Sequence, residues 1–162
     1  MNATLLPILA AEDEEADRFI LGLAFEKAGL SHPLVTVRHG KEAVDYLSGN
    51  APYTDRAIHP LPALLLLDLK MPIMDSFDVL AWLATKPEFK DLPVVVLSSS
   101  SHDADIQKAR QMGARDYFIK PHTLSELVKI IQSLHTRWLN IAPVAGEQLE
   151  RDMAHGFNLL KN

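Results

Sequence analysis

The chain contains no cysteine, which excludes disulfides, thiol catalysis and thiolate metal sites. It also lacks any cluster of lysine and arginine, and its formal net charge is −5. That combination argues against nucleic acid or an anionic membrane as the main partner. No apolar run is long enough to span a bilayer. The apolar stretch at 5–11 has no basic segment before it and Glu12 to Glu15 directly after it, a poor match to a signal peptide. These absences predict a soluble, cytoplasmic protein. The seven histidines never adopt the His-x-x-x-His spacing of a helical zinc site. No Gly-x-Ser-x-Gly surrounds a serine, against a serine hydrolase. Internal repeats and low-complexity segments are missing too.

What is present is a globular composition, 48% hydrophobic over 162 residues, enough for one domain with a full core. The organising stretch is 63–72, a wholly apolar run that ends on Asp68 and is bounded by Pro62 and Pro72. Such a run reads as a strand buried on both faces, as at the centre of a parallel sheet. Further strands are predicted at 5–10, 34–37, 93–97 and 115–119. Helices are predicted between them. The first carries Ala16, Phe19, Ile20, Leu23 and Ala24 at helical spacing and is closed by Gly29. The others span 41–47, 77–85, a segment capped by Ser101 or Asp103 and running to Met112, and a last one from Thr123 to about Leu139. The connection 50–62 is either a surface loop or a functional one. Strand and helix alternate five times, which implies an α/β fold with a doubly wound parallel sheet.

In such a fold the carboxyl ends of the strands share one edge, where ligand sites form. Those ends carry Glu12 and Asp13, Asp68, Ser98 and Lys120. Three crowded carboxylates need a cation, and hard oxygen ligands suit Mg²⁺. Lys120 adds a fixed positive charge and Ser98 a neutral hydroxyl. Together these groups can surround a tetrahedral phosphoryl group, with Asp68 as the nucleophile. Read alone, Glu12 and Asp13 are also ordinary acids at a helix N-terminus.

The joint order of Glu12-Asp13, Leu66-Leu67-Asp68-Leu69-Lys70-Met71-Pro72, Val95-Val96-Leu97-Ser98-Ser99 and Tyr117-Phe118-Ile119-Lys120-Pro121 resembles the receiver domain of two-component response regulators. The resemblance covers roughly 5–139. It implies a five-stranded sheet in the flavodoxin-like order 2-1-3-4-5 with helices on both faces. It implies a receiver domain over 1–140 and an extension over 141–162. By the same resemblance, Asp68 accepts phosphate from a histidine kinase or a phosphotransfer protein. Glu12, Asp13, Asp68 and the backbone carbonyl of Lys70 hold Mg²⁺. Ser98 and Lys120 bind phosphoryl oxygens, and Tyr117 changes rotamer once the Ser98 hydroxyl moves; a half-buried strand aromatic is the plainer reading of Tyr117. Lys120-Pro121 matches a peptide that is cis in the family. The 50–62 loop, Lys86-Pro87-Glu88 and Ser98-Ser99 further resemble stand-alone receivers that act with phytochrome-type and other cytoplasmic sensor kinases. Departures are Ser76, where many receivers have glycine, Glu14 for a frequent asparagine, and serine rather than threonine at 98. Ser100 and Lys70 occupy positions that tune phosphate lifetime.

Rival readings fail on single positions. Phosphohydrolases that form an aspartyl-phosphate place a second aspartate two residues after the nucleophile, and here that position is Lys70. A flavodoxin-like flavin carrier needs a hydroxyl- and glycine-rich loop after its first strand; this chain has four acids there. The resemblance therefore implies a signalling module that catalyses only its own phosphotransfer and autodephosphorylation. The extension is too short for a DNA-binding output domain, so output is expected through protein contacts or phosphate relay. Within it Leu149, Met153, Phe157 and Leu160 form one stripe of an amphipathic helix. That stripe either lies on its own domain or docks a partner kinase or a second protomer in a homodimer.

Overall fold

In a computed structural model the described residues are 5–139. The expected boundary at 140 and the amphipathic stripe beyond it lie outside them. Strands β1 (Ile8–Ala11), β2 (Leu34–Val37), β3 (Leu64–Leu67), β4 (Val94–Ser98) and β5 (Asp116–Ile119) alternate with α1 (Glu15–Ala28), α2 (Gly40–Ser48), α3 (Ser76–Ala84), α4 (Asp103–Gln111) and α5 (Leu124–Leu134). All pairings are parallel, in the order β2-β1-β3-β4-β5. The expected fold class and strand order are both found. None of the described helices is long and apolar enough to cross a membrane.

A sheet covered on both faces makes two cores, and β3 serves both. Leu65, Leu67 and Leu69 enter one core with Ala43, Tyr46 and Leu47 of α2, Val79 and Leu80 of α3 and Ala109 of α4. Leu64 and Leu66 enter the other with Leu21, Ala24 and Phe25 of α1 and Leu127, Ile131 and Leu134 of α5. The division follows from the two-residue period of a strand. Each fully buried leucine contributes roughly 1.5–3 kcal/mol relative to exposure, so β3 anchors both layers.

Three local expectations need correction. On α1 the buried residues are Leu21, Ala24 and Phe25, while Phe19 is 68% and Ile20 41% exposed. Two apolar stripes overlap on this helix, and the one in phase with Asp17, whose carboxylate faces Lys120, is the one buried. On α4 neither Ser101 nor Asp103 caps; His102 is the N-cap without a side-chain bond, and the Ser100 hydroxyl accepts from the His102 N–H at 3.4 Å instead. The first strand starts at Ile8 rather than residue 5, since Pro7 has no N–H for a ladder. Other ends agree within a residue or two. Thr123 caps α5 through the Glu126 N–H, and the helical path continues as a wider turn over His135–Leu139. The 50–62 loop folds back on α2, where the Arg56 guanidinium donates to the carbonyls of Tyr46 and Leu47, both at 2.8 Å. It thereby satisfies carbonyls that the helix end leaves open.

Candidate functional site

The site forms where β1, β3, β4 and β5 deliver their carboxyl ends. Alternation along β1 and β3 continues past the strands. Glu12 follows Ile8 and Ala10, and Asp68 follows Leu64 and Leu66, so both point toward the α1–α5 side. Glu12 and Asp68 are buried and Asp13 is half-buried. One carboxylate oxygen from each of Glu12, Asp13 and Asp68 lies within 4.8 Å of the others. Lys120, immediately after β5, donates to Glu12 at 2.7 Å, Asp17 at 2.9 Å and Asp68 at 3.0 Å.

Backbone bonds hold these groups in place. The Asp68 N–H donates to the Ala11 carbonyl at 3.0 Å, and the buried Ser76 hydroxyl donates to the Asp68 carbonyl. Ser76 thus does something a glycine cannot. Arg18 donates to the carbonyls of Glu12 at 2.8 Å and Asp13 at 2.9 Å, fastening the acidic turn to α1. The segment after β3 is held by Gly40, whose N–H donates to the Met74 carbonyl at 3.0 Å. A side chain at position 40 would sit 2.3 Å from that oxygen.

Burial pushes the Glu12 carboxyl up to about 7, with the Lys120 hydrogen bond opposing the rise and the Asp68 charge adding to it. Burial also works against the Lys120 ammonium, yet its bonds to Glu12, Asp17 and Asp68 outweigh that and hold it above the ordinary lysine value. Lys120 therefore stays charged. Even so, three clustered carboxylates exceed what one ammonium balances, and their all-oxygen donor set fits a hard divalent ion such as Mg²⁺.

Ser98 is buried at the end of β4, where its hydroxyl accepts from the Ser100 N–H at 3.2 Å. The Ser100 hydroxyl donates to Asp105 at 2.6 Å. Tyr117 is buried, and its hydroxyl donates to the Ser100 carbonyl at 2.8 Å. These residues form a chain from β4 to β5 and α4 beside the acids. The Lys70 side chain is exposed. Lys120–Pro121 is not cis; among the described residues the cis bond is Ala51–Pro52. Trans is the isomer an X–Pro bond prefers by about 0.5–1 kcal/mol, and Lys120 reaches Glu12, Asp17 and Asp68 from it. Asp17, Arg18 and Ser76 were not predicted to act here. Asp17 lies in the first turn of α1, and which way it points depends on how that helix is rotated against the sheet.

A family model for the response regulator receiver domain matches residues 8–132. Response regulator Rcp1 of Synechocystis sp. is 32% identical over 132 residues, covering 82% of this chain and 88% of Rcp1. Its Mn²⁺-bound structure is 30% identical, with a TM-score of 0.73 over 87% of this chain and 99% of that one. Response regulator RPA3017, from red light signaling of R. palustris, superposes with a TM-score of 0.81 at 34% identity, covering 88% and 99% of the two chains. The phosphorylated cyanobacterial phytochrome response regulator RcpA gives a TM-score of 0.76 at 34% identity, with the same coverage.

Proposed function

This chain belongs to the response regulator receiver domain family, and we propose that it is a single-domain response regulator of a two-component phosphorelay. Asp68 accepts phosphate from a histidine kinase or a phosphotransfer protein. The observation that carries this reading is Lys120 bonded to Asp68 at 3.0 Å beside the Glu12–Asp13–Asp68 trio. In the reaction an Asp68 carboxylate oxygen attacks phosphorus, the bond to the donor imidazole breaks, and the imidazole leaves with the electron pair. Mg²⁺, held by Glu12, Asp13, Asp68 and the Lys70 carbonyl, supplies charge neutralisation for the phosphoryl oxygens when bound. Lys120 exchanges its Asp68 bond for a phosphoryl oxygen, and Ser98 turns its hydroxyl from Ser100 to another. That movement loosens the Ser100 carbonyl from Tyr117, so the phosphate biases the face formed by α4, β5 and α5 toward a conformation that partners read. The protein catalyses only its own phosphotransfer and autodephosphorylation.

The manganese-bound Rcp1 and phosphorylated RcpA support the metal and the acyl phosphate. The phytochrome and red-light relatives support a phytochrome-type sensor kinase as the donor. Acetyl phosphate, or beryllofluoride with Mg²⁺, is expected to modify the wild type and leave Asp68→Asn unmodified in a Phos-tag gel or by fluorine NMR. Equal response of the two proteins would overturn the assignment. Phosphotransfer from candidate histidine kinases, run beside Asp68→Asn, identifies the donor.

A further inference from the structure

Lys120 directs its three N–H bonds at three carboxylates, Glu12, Asp17 and Asp68. Two of these acceptors also belong to the trio fitted to a cation. A divalent ion in that trio draws Glu12 and Asp68 toward itself and repels the ammonium. Asp17 stands outside the trio, in the first turn of α1, with its side chain 42% exposed. Beside Lys120 lies a cavity of about 100 Å³, lined in part by Asp17, Ile20, Leu21, Leu97 and Leu127. It gives the ammonium room to swing away when an anchor is lost. The turn that carries Asp17 is itself fixed, because the neighbouring Arg18 holds the carbonyls of Glu12 and Asp13.

We propose that Asp17 is a positioning residue for Lys120. It supplies the carboxylate that keeps the ammonium at the site once Glu12 and Asp68 are engaged by the cation and the phosphoryl group. This rests on the phosphorelay reading above. Asp17 lessens the competition between lysine and metal: without it the ammonium has only Glu12 and Asp68 to pair with, two of the carboxylates the ion needs.

Asp17→Asn is therefore expected to weaken Mg²⁺ binding by about fivefold, the scale of a partly exposed ion pair, measured by titration calorimetry on the full chain. Glu15→Gln removes another acid from the first turn of α1, one not bonded to Lys120, and is expected to change affinity by less than about twofold. In a Lys120→Met background the route from Asp17 is gone, so Asp17→Asn should shift affinity no more than Glu15→Gln does. An Asp17→Asn effect equal to that of Glu15→Gln in the wild type, or undiminished beside Lys120→Met, overturns the inference. A second readout does not depend on Lys120→Met folding. In the Mg²⁺-bound protein the nitrogen-15 signal of the Lys120 ammonium should persist in the wild type and broaden away in Asp17→Asn; an unchanged signal counts against the role. A wild type that neither binds Mg²⁺ nor traps beryllofluoride sinks the phosphorelay reading as well. A wild type that does both, while Asp17→Asn behaves like Glu15→Gln, sinks this inference alone.

Discussion

At Glu12, burial and metal binding pull the same proton in opposite directions. Its pKa is raised from 4.5 to about 7, so between those values the folded protein holds a proton that the unfolded chain has released. The stability this contributes is fully present below 4.5 and is lost as pH rises through about 7. A cation needs the ionised carboxylate, so Mg²⁺ affinity should fall by up to about tenfold per pH unit below that value and level off above it. Calorimetry between about pH 6 and about pH 8 should count close to one released proton at the acid end; Glu12→Gln should bind more weakly and lose the slope. A flat wild-type profile would contradict the assignment. Glu12, Asp13, Asp68 and Lys120 could be placed together from the sequence because each closes a strand, and parallel strands end on one edge. Asp17 could not, because its reach depends on how α1 is rotated. Nor could the hydroxyl of Ser98, since a rotor's direction follows from neighbours such as the Ser100 N–H.

Elements were legible wherever local chemistry was unambiguous. Gly29 ends α1 with a positive φ of 73°, Thr123 opens α5, and the β-branched run at 94–96 is buried strand. The phase of α1 was not, because Phe19 and Ile20 fit helical spacing as well as Leu21 and Phe25 do. Packing against the sheet and α5 selects between the two stripes. Contacts between elements were equally hidden, and Gly40 is the clearest case. A Cβ there would stand 2.3 Å from the Met74 oxygen and 2.7 Å from Val79 Cγ2, and α3 would have to move off α2. Alanine gains up to about 1 kcal/mol of helix propensity, but overpacking against backbone costs about 1–3 kcal/mol, so the clash wins. Gly40→Ala should lower stability by about 1–2 kcal/mol in urea unfolding. An unchanged midpoint would show that the segment after β3 shifts freely.

For the whole molecule the alternating pattern was sufficient to specify a doubly wound sheet, and the resemblance supplied the strand order. The crowding of three acids on one edge was readable too, and the distances add that a single ammonium pairs with two of them. Their mutual repulsion weighs on the fold, so an ion that relieves it should stabilise the entire domain. At about a hundred times its dissociation constant, Mg²⁺ is worth about 2.7 kcal/mol and should raise the thermal midpoint by about 5–10 °C. Asp13→Asn should show most of that gain without metal and little further response to it. If both proteins respond alike in a melting scan, the trio does not hold the ion. One last consequence belongs to β3. Four successive leucines look the same from either side of the sheet, so sliding the strand by one place would exchange its faces without exposing a single apolar group. The chain can tell the two alignments apart only at the ends of the run, and Asp68 is the mark that only one alignment satisfies. The residue proposed to receive the signal also tells its own strand where to stop.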